Sequence, residues 1–268
     1  MNQHRKTLLW YFLIVLFFSS LLACGISRFG RSGTALVNAM MFIPGLVSIF
    51  FRYRRKEGFQ SVGWSLRPSF FWIWALLFPI LLLSTSLPIS ILLGYVSIST
   101  PSLMPNNILP FCLALTRKLV LFSILSLPFA LGEELGWRGY AQEKLLREFG
   151  IVKGFLILGI VWGFWHSPAF YFLGLFPNHT ILGPFVMTPV DNILMVVPLG
   201  WLYIRSRSIW VPAIAHSFGN VLWGYSDTFI SKHSELGSWG VLQVIQLAVT
   251  IACLIDTKKR PFIKNQGV

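Results

Sequence analysis

Three stretches of the chain set ionisable or amide side chains among apolar residues. They are Gly132-Glu133-Glu134-Leu135-Gly136-Trp137-Arg138, Trp162-Gly163-Phe164-Trp165-His166, and Ala213-Ile214-Ala215-His216-Ser217-Phe218-Gly219-Asn220. An ionisable side chain costs several kcal/mol in hydrocarbon, so each needs a partner or a task. On a helix Glu134 and Arg138 are i,i+4 neighbours and can pair, and His216 and Asn220 share a face in the same way. Glu133 sits about 100° round from Glu134, so one carboxylate can be held by Arg138 while the other points elsewhere. Neutral imidazoles are common zinc ligands, and a catalytic zinc keeps a position open for water. A metal or a polarising histidine activates that water, a nearby carboxylate takes its proton, and an amide donates to the oxyanion that forms. Two histidines, a glutamate and an asparagine are thus a sufficient kit for peptide-bond hydrolysis. The soluble metalloprotease pattern H-E-x-x-H is absent, so such a site has to be assembled from separate helices.

The elements that must position these residues are membrane spans. Of the 268 residues 55% are apolar and only 12% charged, and the formal charge is +13. An ordinary soluble domain carries roughly 25% charged residues. This composition excludes a water-soluble enzyme, a disordered segment and a free nucleic-acid binder. A span needs roughly 20 apolar residues. Eight segments qualify: Leu8–Ile26, Thr34–Phe51, Phe70–Val96, a fourth ending near Leu135, Gly154–Leu175, Pro184–Ile204, Ile209–Tyr225 and Trp239–Ile255. The expected fold is an all-α, polytopic transmembrane helix bundle forming one domain over residues 1–268. With the N-terminus inside, 17 Lys and Arg fall on the cytoplasmic side, from Arg5 and Lys6 through Arg52, Lys144, Lys153 and Arg207 to Lys264. At most five fall on the other: Arg28, Arg31, Arg117, Lys118 and Lys232. That bias predicts both termini in the cytoplasm.

Taking Lys144, Lys153 and Arg207 as the boundary, Glu133 lies ~16 Å deep, His166 ~20 Å and His216 ~14 Å, at 1.5 Å of rise per residue. Three helices therefore deliver their polar side chains to a similar depth. Arg5 and Lys6 before an apolar run ending at Cys24 also resemble a signal sequence, but removing that helix would break the alternation of charge, so it is read as a retained anchor. Gly58–Pro68 reads as an interfacial segment or a surface turn. Cys24, Cys112 and Cys253 form no metal-ligand or disulfide pattern and are read as small core residues. Asp191, Asn192 and Asp227 are read as interfacial, and His4, His179 and His233 as solvated.

Taken together, Glu133-Glu134-x-x-x-Arg138, the aromatic-x-x-x-His ending at His166, and His216-x-x-x-Asn220 resemble the three motifs of the CPBP family of intramembrane endopeptidases (CAAX proteases and bacteriocin-processing enzymes, also called Abi). The resemblance covers roughly Leu119–Gly224. It departs at Trp162, where the family's second motif usually begins with Phe. It implies Glu133 as the base that activates water, His166 and His216 as metal ligands or oxyanion stabilisers, and Asn220 as their assistant. It further implies that Glu134 orients or joins the site and that Arg138 supports it through an ion pair. A zinc ion on His166, His216 and Glu133 is the expected cofactor, while the resemblance itself leaves open a glutamate working without metal. The implied partners are a membrane-associated peptide or protein substrate and the lipid bilayer, with no nucleic acid. The compact eight-span body, with no organelle-targeting signal, reads as a cell-membrane protein of a bacterium, and the leading reading has the site opening from within the bilayer toward the cytoplasm. Two other functions compete: a non-proteolytic scaffold or bacteriocin immunity protein with the same fold, and a transporter using the carboxylates as a proton relay. Against transport, the sequence has no pair of similar halves.

Overall fold

The structure, a computed structural model, describes residues 3–29, 33–99 and 108–260. Arg31 and Lys264, which enter the charge count, lie outside the described residues. The helices in chain order are α1 (Gln3–Phe29), α2 (Thr34–Arg55), α3 (Phe71–Leu92), α4 (Ile108–Gly136), α5 (Glu143–Phe149), α6 (Ile151–Leu173), α7 (Thr188–Ser206), α8 (Trp210–Ser226) and α9 (Glu235–Lys259). A π-helical stretch, Trp137–Gln142, joins α4 to α5, and another, Gly183–Met187, leads into α7. Strands β1 (Val96–Ile98) and β2 (Ile230–Lys232) form a small antiparallel pair with Val96 opposite Lys232.

Among the described residues, seven helical runs are long and apolar enough to cross a membrane, among them the continuous run Leu109–Phe149. This is a multi-pass membrane protein of nearly all-α architecture. Each of the eight segments read from the sequence is a long helix. The seventh, α8, is the shortest of these at 17 residues, at the lower limit for a span. It packs between α3 and α4 inside the bundle. The outward faces explain the composition. Leu13 and Phe17 on α1, Leu121 and Leu125 on α4, and Val244 and Leu247 on α9 are exposed, a surface suited to acyl chains rather than water. Two of the three cysteines share that surface. Cys24 and Cys112 are exposed and only Cys253 is buried, so the reading of all three as core residues fails; apolar character alone cannot distinguish a lipid face from a core.

Polar contacts hold one end of the bundle together. Arg5 pairs with Glu148 at 2.6 Å, Lys144 with Glu57 at 2.8 Å, and Arg205 with Asp256 at 2.7 Å. These bring the start of α1, the end of α2, α5 and the end of α9 to one basic face; β1 and β2 mark the opposite end. The segment Gly58–Pro68 lies mostly at the surface, with Phe59, Trp64 and Leu66 exposed, as an interfacial segment or surface turn would, but it is anchored at one point. Val62 is fully buried against Leu135, Tyr203 and Ile209, and Arg52 donates to the carbonyls of Gly58 and Gly139. It closes the bundle beside the π-helical stretch.

The close crossing of α2 and α4 fixes where the glutamates stand. Gly132 and Gly136 lie one turn apart on α4, a small-xxx-small pair that lets backbones approach. A Cβ on Gly132 would lie 2.8 Å from Phe42 Cδ1 and 3.0 Å from the Met41 carbonyl oxygen, and one on Gly136 would enter the backbone of Pro44. Gly136→Ala is therefore expected to destabilise the protein by about 1–3 kcal/mol, the usual cost of overpacking. Thermal unfolding in detergent checks this, and an unchanged midpoint would contradict the crossing as described.

Candidate functional site

The two adjacent carboxylates on α4 have different partners. Glu134 is fully buried, and its Oε1 accepts both from Arg138 at 2.9 Å and from His216 Nδ1 at 2.8 Å. Arg138 is also fully buried, one turn along the same helix. Glu133 makes neither contact. Its Oε2 accepts a hydrogen bond from the indole N–H of Trp162 on α6 at 2.9 Å. The expectation that one carboxylate is tied to Arg138 while its neighbour points elsewhere matches this geometry.

Trp162 is the centre of the arrangement. The Arg138 guanidinium carbon lies 4.3 Å from its ring centroid, and the His166 and His216 rings lie 5.5 and 5.6 Å from it. Its carbonyl accepts from His166 Nδ1 at 3.0 Å. Because a carboxylate and a carbonyl can only accept, the proton on each imidazole sits at Nδ1, and Nε2 is the nitrogen left over. His166, His216 and Asn220 line a cavity of about 250 Å³ with Trp162. Glu133 stands behind that wall, 1% exposed. Sequence spacing thus found Glu133, Glu134, Arg138, His166, His216 and Asn220, and the structure gathers them where α4, α6 and α8 meet. Serines brace α4 against α8: Ser217 donates to the Ser123 carbonyl at 2.6 Å and its hydroxyl lies 2.6 Å from that of Ser126.

Trp162 was legible as an aromatic but not as a donor. The available signal was its indole N–H, which needs an acceptor when buried in hydrocarbon. Phe at this position packs but cannot donate. Trp162→Phe is therefore expected to lower turnover about tenfold, a loss of ~1.4 kcal/mol. Steady-state rates check it, and an unchanged rate would show that the hydrogen bond does not position Glu133.

The anchoring of each Nδ1 with Nε2 free resembles the way outer partners orient ligating histidines. Among the described residues, however, no three His, Cys, Asp or Glu side chains gather as a set able to hold a metal ion. In this arrangement the described residues do not form a metal centre.

One expectation changes with the cavity. Asp191 and Asn192, read as interfacial, line it from α7, because the first turns of α7 face inward onto α6 and α9. The cavity shares Trp223 and Leu242 with a second cavity of about 180 Å³, which is lined also by Lys232 on β2 and Val96 on β1. Trp137, Arg138, Tyr140 and Gln142 are all buried.

The fold and site define a class: a many-helix membrane protein with a glutamate pair and two histidines inside the bundle and an exposed asparagine one turn beyond the second histidine. Residues 115–222 match the family model described as "Type II CAAX prenyl endopeptidase Rce1-like", which bears out the resemblance over the stretch that carries the three motifs. A curated relative, "CAAX prenyl protease 2" of Methanococcus maripaludis, is 30% identical over 124 residues, covering 44% of this chain and 45% of that protein. The match thus spans less than half the length of that relative.

Proposed function

We propose that this protein is an intramembrane endopeptidase that hydrolyses a peptide bond of a membrane-associated peptide or protein. The observation that carries this reading is the division of labour between adjacent carboxylates. Glu134 is committed to Arg138 and His216, while Glu133 keeps one oxygen, Oε1, outside the hydrogen bond from Trp162. Two carboxylates with different partners can take different roles in one reaction. Glu133 Oε1 takes a proton from water as its oxygen attacks the carbonyl carbon, and returns that proton to the leaving nitrogen. Asn220 donates its amide N–H to the oxyanion, and His166 and His216 bound the space around it. Glu134 and Arg138 position His216 rather than touch the substrate.

The relative's name supports a prenylated C-terminal peptide as the substrate class. The basic face, by its charge, belongs in the cytoplasm of a bacterial cell membrane. A second form of the reading places a zinc ion on His166, His216 and Glu133, favoured by the free Nε2 of both anchored rings. It requires the three groups to close on one point, and metal analysis of active protein decides it. The test of the main reading is cleavage of a prenylated peptide by the purified protein in nanodiscs, with products identified by mass spectrometry and Glu133→Gln as the control. Equal product from wild type and variant would overturn it.

A further inference from the structure

The cavity wall facing the histidines is rich in acceptors and poor in donors. Asp191 lines it from α7 and Gln246 from α9. Gln246 is 3% exposed, and its Oε1 is buried without a hydrogen-bond partner. Gln243, on the same face of α9, donates to Asp191 Oδ1 at 3.2 Å, and its own Oε1 is likewise buried and unpartnered. A buried acceptor without a donor costs about 1–3 kcal/mol, and the Asp191 carboxylate is met by amide donors from Gln243 and Gln246 but by no cation. No lysine or arginine lines this cavity among the described residues. The remaining surface is aromatic: Trp162, Phe170 and Trp223 also line it. A carboxylate, unsatisfied amide oxygens and ring faces together recognise one chemistry, a cation with several N–H donors.

We infer that Asp191 and Gln246 form a subsite for a lysine or arginine side chain of the substrate, held across the cavity from His166 and His216. This rests on the peptidase reading, since the bound group is part of the peptide to be cut. The carboxylate and the Gln246 oxygen accept from the cation, and the aromatic rings flank its stem. Helix-to-helix bonding between α7 and α9 accounts for the Gln243–Asp191 contact, but leaves the Gln246 oxygen, buried at the cavity wall, with nothing to accept.

The experiment compares binding of paired prenylated peptides to the full protein in nanodiscs. Lysine is scanned through each position, against norleucine, which keeps the stem and lacks the ammonium. Both wild type and Glu133→Gln are used. At one position the lysine peptide is expected to bind about tenfold more tightly to both proteins, and Asp191→Asn to reduce the ratio to about twofold or less. Gln246→Leu, which leaves the carboxylate in place, should reduce it partway and gives a second reading if Asp191→Asn folds poorly. No preference at any position, or one that survives both substitutions, overturns the subsite. A preference that is intact while no peptide is cleaved counts against the peptidase reading alone.

Discussion

Glu133→Gln is expected to reduce peptide cleavage by about 10²–10⁴-fold, the range a positioned general base supplies. The substitution keeps the shape of the side chain and an oxygen that can still accept from Trp162, so the 2.9 Å contact and the fold should survive. What it removes is the ability to take a proton from water. Initial rates on a prenylated peptide, beside thermal unfolding of the same preparations, separate chemistry from stability. A variant that melts with the wild type and cleaves nothing measurable is the predicted result. A variant that cleaves normally, or does its cellular work unchanged, leaves the scaffold or immunity role standing and removes Glu133 from the chemistry.

The second large effect falls on stability. Arg138→Met leaves Glu134 as a buried carboxylate without its cation, and breaking a buried pair from one side costs about 3–5 kcal/mol. Both partners have fully buried side chains, so water cannot compensate. Adding Glu134→Gln should recover most of that loss, because the double variant leaves no uncompensated charge. It should not recover activity, since a neutral amide holds the His216 ring less firmly than the carboxylate that now meets Nδ1 at 2.8 Å. Denaturation midpoints of the two single variants and the double variant close the cycle. If the double variant is no more stable than Arg138→Met, the pair is not coupled as the geometry has it.

Much of this architecture is legible in the sequence because lipid is an unforgiving solvent. Any run of some 20 apolar residues must be helix, and any charge inside it must have a reason, so Glu133, Glu134, Arg138, His166 and His216 announce themselves. What stays hidden depends on rotation and on neighbours distant in sequence. Cys24 and Cys253 both sit in apolar helices, yet one faces outward and the other is buried. Asp191 lies in the first turn of its helix, where an interfacial position is the simpler reading; only the packing of α7 on α6 and α9 turns it into the cavity. Trp162 looked like a larger Phe until Glu133 appeared beside its N–H. The cavity itself is illegible for the same reason: it is a property of the gaps between helices, not of any one of them.

The tight block of Trp137, Arg138, Tyr140 and Gln142 on the basic side has a consequence for the cell. A hydrolytic centre needs water and moves protons, and a wet passage from one compartment to the other would drain the electrochemical gradient that an energised membrane maintains. The peptidase proposed above would have to draw its water from elsewhere than past these four buried side chains, and their close packing would keep such a centre from becoming a leak.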